Sequence, residues 1–226
     1  MKLLSDQVDE REIEVILREL EKTRAIFGDI VEFGCYVGTT SVFLAKTLEK
    51  WGAEKQLWLY DSFEGLPEKS AEDVNSLGEP FKKGELLASK KQLISNLRKS
   101  NIRKTPKITK GWFNHLSKNQ IPERISFAFL DGDYYDSILD PLNLIWDNLE
   151  SGAIIVVDDY GNQALPGASK AVDEWCKKHN ISKEYLQKKS DELLDTVLTD
   201  WKRYSGSSYS RSNMGRLTIE KDEFLR

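Results

Sequence analysis

The sequence predicts an α/β fold: a mostly parallel sheet with helices on both faces. Three observations predict it. Apolar runs of strand length alternate with stretches of helical period along most of the 226 residues, an order that calls for parallel strands joined by crossover helices. Two of those runs, ISFAFL at 125–130 and AIIVV at 153–157, are apolar nearly without alternation, as strands buried on both faces are. Glycines and acids gather just beyond the strand ends, the place where open α/β sheets bind ligands.

Each element follows from its local pattern. Residues 8–27 place Ile13, Ile16, Leu17, Leu20 and Phe27 on one helical face and predict an amphipathic helix. IVEF at 30–33 is a short strand, and GCYVGTT after it opens a helix near Thr39 that Val42, Ala45 and Leu48 continue. LWLY at 57–60 is a second strand, ending at Asp61. Gly, Pro, Ser and charge between Ser62 and Lys83 predict a long, flexible loop able to cover a site. A helix at 85–99 and a strand around Lys107–Thr109 come next, then ISFAFL. Ile138, Leu142, Ile145 and Leu149 predict a helix with Pro141 near its first turn. After AIIVV, residues Ala168, Ala171, Val172 and Trp175 mark another helix. Residues 183–200 fit helix or helix plus strand, 204–213 a flexible connection, and 215–221 a last, edge strand.

Composition narrows the function classes. Lys+Arg 33 against Asp+Glu 37, a net charge of -4 with both signs dispersed, argues against a nucleic-acid or anionic-membrane partner. Cys35 and Cys176 are the two cysteines, with no CxxC, and free thiols in a reducing cytoplasm are the expectation. No apolar run approaches the roughly 20 residues of a membrane span. A single domain over 1–226 is expected, since no repeat or low-complexity linker divides the chain.

The strand ends carry the chemistry. Gly34 and Gly38, in Glu32-Phe-Gly34-Cys-Tyr-Val-Gly38, let backbone approach a ligand before a helix begins. Asp61 ends the second strand, where an acid commonly accepts hydrogen bonds from ribose hydroxyls. The three-glycine dinucleotide fingerprint is absent, which favours an adenosine ligand without pyrophosphate, such as S-adenosylmethionine. Trp112, in KGWF, stacks on an adenine or is a core aromatic; His115 and His179 are the two histidines, and His115 falls near this side. Asp131 and Asp133 in FLDGDYYDS, and Asp158 and Asp159 in VVDDYG, put four carboxylates at two strand ends. Neighbouring strands lie about 4.8 Å apart, so these groups converge and repel, and call for a cation or shared protons. An all-oxygen set suits Mg²⁺, Ca²⁺ or Mn²⁺ rather than Zn²⁺.

With these residues in place, the sequence resembles the macrocin O-methyltransferase family, enzymes that methylate sugar hydroxyls of glycosylated antibiotics. The resemblance covers approximately residues 28–180. It is carried by VEFGCYVGTTS, YDSFEGLP at 60–67, KGWF at 110–113, FLDGDYYDS, and ESGAIIVVDDYGNQALPGASKAVDEW at 150–175. It implies a class I methyltransferase (Rossmann-like) sheet of seven strands, the last antiparallel, with residues 1–28 as an amino-terminal helix and lid. It implies S-adenosylmethionine near Glu32, Gly34, Gly38, Thr39, Asp61, Ser62 and Trp112, and Mg²⁺ or Mn²⁺ on Asp131, Asp158 and Asp159. Asp133 becomes the candidate general base, the acceptor a sugar or glycosylated natural product, and a homo-oligomer a possible assembly.

Two rival readings keep the scaffold and change the chemistry. D-x-D at one strand end and an acidic pair at another also occur in haloacid dehalogenase-like phosphatases, with Asp131 as nucleophile; no Ser/Thr and Lys motif strands intervene between Asp131 and Asp158 to support it. The other rival is a non-catalytic binder of a nucleoside or sugar.

Overall fold

The computed structural model describes residues 2–52, 54–75, 81–182 and 217–221. Among them six strands form one sheet: β1 (Asp29–Phe33), β2 (Leu57–Asp61), β3 (Lys107–Lys110), β4 (Ile125–Leu130), β5 (Leu149–Val157) and β6 (Leu217–Glu220). Their order is β3-β2-β1-β4-β5-β6. The first five pair in parallel and β6 runs antiparallel to β5. The chain therefore steps outward from β1 through β3, then returns to lay β4 against the other side of β1. That reversal opens a crevice above the β1/β4 boundary.

Period-two alternation sends each strand's side chains to two cores. Ile30, Leu57, Leu59, Phe127, Phe129, Ile154 and Val156 pack on one face with Ile16 and Leu20 of α1 (Glu10–Lys22), Val42 and Leu44 of α2 (Thr39–Trp51), and Leu93 and Leu97 of α3 (Lys90–Lys99). Val31, Phe33, Ala128, Leu130, Ile155 and Val157 face the other core, with Ile138 and Leu142 of α4 (Tyr135–Ile145) and Val172 and Trp175 of α5 (Pro166–Lys178). Every residue of β4 is buried, so the runs that predicted a doubly covered sheet are its centre. Both cysteines are buried free thiols.

Several boundaries differ from the sequence reading. α1 ends at Lys22, and Phe27, expected on its apolar face, is 71% exposed; the Arg124 guanidinium lies over its ring. α3 starts at Lys90 because the Ser89 side chain accepts the Gln92 amide as its cap. Pro141 lies inside α4 rather than in its first turn, and Leu149, expected to extend that helix, opens β5 after a 3₁₀ turn at Trp146–Asn148. Residues 183–200, read as helix or helix plus strand, and the connection at 204–213 lie outside the described residues. No described helix is long and apolar enough to cross a membrane.

Candidate functional site

Sheet register puts the chemistry on one level. Phe33 pairs with Tyr60 on one side and Leu130 on the other, and Leu130 pairs with Val157. The next residues, Gly34, Asp61, Asp131 and Asp158, thus leave four adjacent strands side by side. Backbone bonds continue the ladder there: Gly34 N–H to Tyr60 C=O at 3.0 Å, Asp131 N–H to Phe33 C=O at 2.8 Å, and Asp158 N–H to Leu130 C=O at 2.8 Å.

Gly34 is where the first loop crosses the fourth strand. Its φ is +86°, and a Cβ there would stand 1.8 Å from the Asp131 carbonyl oxygen. Gly38, also left-handed, begins α2 without a side-chain cap. Between them Asp61 holds the loop: its Oδ2 accepts the amides of Cys35 (2.8 Å) and Tyr36 (3.0 Å), and Oδ1 accepts that of Phe63 (2.6 Å). Ser62 is committed to its own turn, donating to Gly65 C=O and accepting the Glu64 amide.

Glu32 is buried at the foot of this loop, 1% exposed, and its Oε2 meets no hydrogen-bond partner among the described residues. Burial, with the nearby Asp61 charge adding and the Ser41 hydroxyl partly opposing, pushes its pKa up to about 8. A buried carboxyl with one unpartnered oxygen, lining a cavity, is suited to a cationic or hydrogen-bonding ligand group.

On the other side of the crevice, Asp131, Asp133 and Asp159 each bring a carboxylate oxygen within 4.8 Å of the others. Asp158 lines the same cavity without being one of this close trio. Asp133 (φ +61°) and Asp159 (φ +59°) adopt left-handed backbone, a strained conformation that aspartate tolerates better than most residues. Burial, then the charges of Asp159 and Asp158, hold the Asp133 carboxyl well above the usual carboxylate range. Asn162 donates from Nδ2 to Asp159 Oδ1 at 2.8 Å, fixing one member of the trio.

One cavity of about 460 Å³ joins these groups. Of the sequence candidates, Glu32, Gly34, Thr39, Asp61, Ser62, Trp112, Asp131, Asp133, Asp158 and Asp159 line it, while Gly38 shapes the loop from behind. His115 lines it as well. Sequence reasoning missed Asp73, Asp136, Asp140 and Asn162; the four-residue spacing of Asp136 and Asp140, on one face at the start of α4, was the available signal. Ser5 and Glu12 of the amino-terminal segment also line it, and the Ser5 and Thr39 hydroxyls are 3.3 Å apart. His179 lies elsewhere, against Trp146 and Trp175. Tyr135 and Tyr160 turn their hydroxyls to Glu174 and Asp173.

A family model described as macrocin-O-methyltransferase (TylF) matches residues 11–193. The chain is 29% identical over 161 residues to the 8-demethyl-8-(2,3-dimethoxy-alpha-L-rhamnosyl)-tetracenomycin-C 4'-O-methyltransferase of Streptomyces olivaceus, a match covering 69% of this chain and 60% of the relative. It is 26% identical to the mycinamicin III 3''-O-methyltransferase of Micromonospora griseorubida, over 71% of this chain and 65% of that one. The chain thus spans under two thirds of the length of these curated relatives. Among solved structures, the O-methyltransferase NovP superposes with a TM-score of 0.70 at 20% identity, covering 93% of this chain and 79% of its own. A calicheamicin methyltransferase gives 0.61 at 18%, covering 74% and 72%. These likenesses establish a class I methyltransferase fold.

Proposed function

The chain belongs to the macrocin O-methyltransferase family, and on that premise we propose that it transfers the methyl group of S-adenosylmethionine to a hydroxyl of a sugar on a small glycosylated molecule, with a divalent cation at the acid cluster. The observation that carries this reading is the shared level of the Gly34 loop, Asp61 and the aspartates within one cavity. The methyl donor belongs on the Gly34 side. Glu32, Thr39, Ser62 and Trp112 would surround it, and Asp61, with three amide bonds already made, keeps one lone-pair direction for a ribose hydroxyl.

The donor set fits a hard cation. Asp131, Asp133 and Asp159 bring carboxylate oxygens within 4.8 Å of one another and Asp158 lines the same cavity, an all-oxygen set that would suit Mg²⁺ or Mn²⁺. A bound dication supplies charge stabilisation that lowers the pKa of a coordinated hydroxyl. We assign Asp131, Asp158 and Asp159 to hold it and Asp133 to receive the hydroxyl proton. Its place beside Asp159 in the same cavity supports that role, worth about 10²–10⁴-fold in rate.

The cavity also favours an acceptor charge. Carboxylates of Asp73, Asp131, Asp133, Asp136, Asp140, Asp158 and Asp159 line it, and no Lys or Arg is among its described lining residues. With Asp131, Asp158 and Asp159 given to the cation, Asp136 and Asp140 still present like charge to a phosphorylated acceptor, so a neutral or amine-bearing glycoside is preferred. Family membership removes the phosphatase reading. Calorimetric titration with S-adenosylmethionine and S-adenosylhomocysteine, with and without Mg²⁺, tests the rest: binding of both cofactor and cation is expected. Cofactor binding without cation binding would favour the non-catalytic binder, and full methyl transfer in excess EDTA would sink the cation's role.

A further inference from the structure

The loop after β2 reaches the acid cluster through Asp73, a carboxylate only 4% exposed. Its Oδ1 accepts the Tyr135 amide at 2.7 Å, the first residue of α4. Its Oδ2 accepts the amide (2.8 Å) and the hydroxyl (2.7 Å) of Ser70. Tyr134, which precedes α4, makes no side-chain cap bond, so the helix is capped from a segment 62 residues away. The first turn of α5 leaves the space this needs: a Cβ on Gly167 would stand 1.8 Å from Asp73 Oδ1 and 2.7 Å from the Tyr135 nitrogen. One buried carboxylate therefore sits between the amino termini of α4 and α5, where both helix dipoles favour its charge.

Those two helices follow the two acid-bearing loops. Tyr135 is two residues beyond Asp133. On the other side, Asn162 ties Asp159 to the Ala164 amide, and Gly167 lies three residues further on. The same loop is fastened at two more points: Lys170 Nζ donates to Glu72 C=O at 2.7 Å, and Asn75 Nδ2 to Ala164 C=O at 2.8 Å. We propose that Asp73 is a positioning residue that sets the spacing between the loop of Asp131 and Asp133 and the loop of Asp158 and Asp159, and so controls the cation affinity of the site. The inference rests on reading those acids as a cation site.

The test is Mn²⁺ titrated calorimetrically into the full chain, with S-adenosylmethionine titrated separately and thermal melts of each variant. Asp73→Ala should weaken Mn²⁺ binding by about 10–100-fold, the usual effect of removing a group that orients metal ligands, and leave S-adenosylmethionine affinity unchanged. Gly167→Ala, which fills the space with Asp73 still present, should act in the same direction, and the double variant should be no worse than the worse single one. Asp73→Asn, which keeps the shape and one acceptor oxygen, gives the same reading if the alanine variant does not fold. Lowered melting temperatures with wild-type Mn²⁺ affinity in the folded variants would overturn the inference alone. A wild-type chain that binds no Mn²⁺ would overturn the cation reading and the inference with it.

Discussion

Replacing Glu32 with glutamine should make the protein more stable in alkaline solution while leaving it unchanged in mild acid. Glu32 is fully buried, with one oxygen unpartnered, and its pKa is raised from 4.5 to about 8. Between those values the folded chain holds a proton that the unfolded chain has released, so stability falls as pH rises through that window. At about 1.4 kcal/mol per pH unit, the interval sets a ceiling of about 5 kcal/mol, reached only if the site stays dry and does not relax. The neutral amide of Glu32→Gln would carry no such penalty. Urea unfolding of the cofactor-free proteins at pH 5 and pH 8.5 measures it, because other titrating groups are common to both chains and cancel in the difference. The variant should match the wild type at pH 5 and exceed it by a few kcal/mol at pH 8.5. An equal difference at both pH values, or a wild type more stable at pH 8.5, would refute the argument from burial.

The other predictions concern the site directly. Asp159→Ala should reduce Mn²⁺ affinity at least tenfold, as loss of one of few ligands does, with S-adenosylmethionine binding intact by calorimetry. Asp133→Asn should lower kcat by about 10²–10⁴-fold at unchanged Mn²⁺ affinity; a loss of Mn²⁺ binding instead would make Asp133 a ligand and refute its assignment as base. Gly34→Ala must accommodate a Cβ 1.8 Å from the Asp131 carbonyl at a φ of +86°. It should cost about 3 kcal/mol or more, a fall of about 10 °C in melting temperature, and a wild-type melt would contradict the reported backbone.

What the sequence revealed depended on how local its cause was. β4 and the core of β5 were legible because burial on both faces writes a continuous apolar run, and the four aspartates were legible because they directly follow such runs. Phe27 misled because helical spacing continues past Lys22, where the chain turns toward β1. Leu149 misled similarly: its spacing from Ile145 is helical, yet a 3₁₀ turn intervenes and it begins a strand. Asp73 could not be found at all. Its partners at Tyr135 and Gly167 are distant in the chain, and only the packed fold brings them together. The backbone at Asp133 and Asp159 shows the same limit on a smaller scale, since no periodicity records their left-handed turns.

The central claim is that one crevice holds the methyl donor and the cation side by side. Paramagnetic relaxation by Mn²⁺ of the methyl signal of ¹³C-methyl S-adenosylmethionine, bound to the full chain, measures that proximity directly. The account predicts strong relaxation in the wild type, none with Mg²⁺ in place of Mn²⁺, and weaker relaxation at the same Mn²⁺ concentration in Asp159→Ala with the cofactor still bound. Both ligands bound to the wild type with no relaxation of the methyl signal would contradict it.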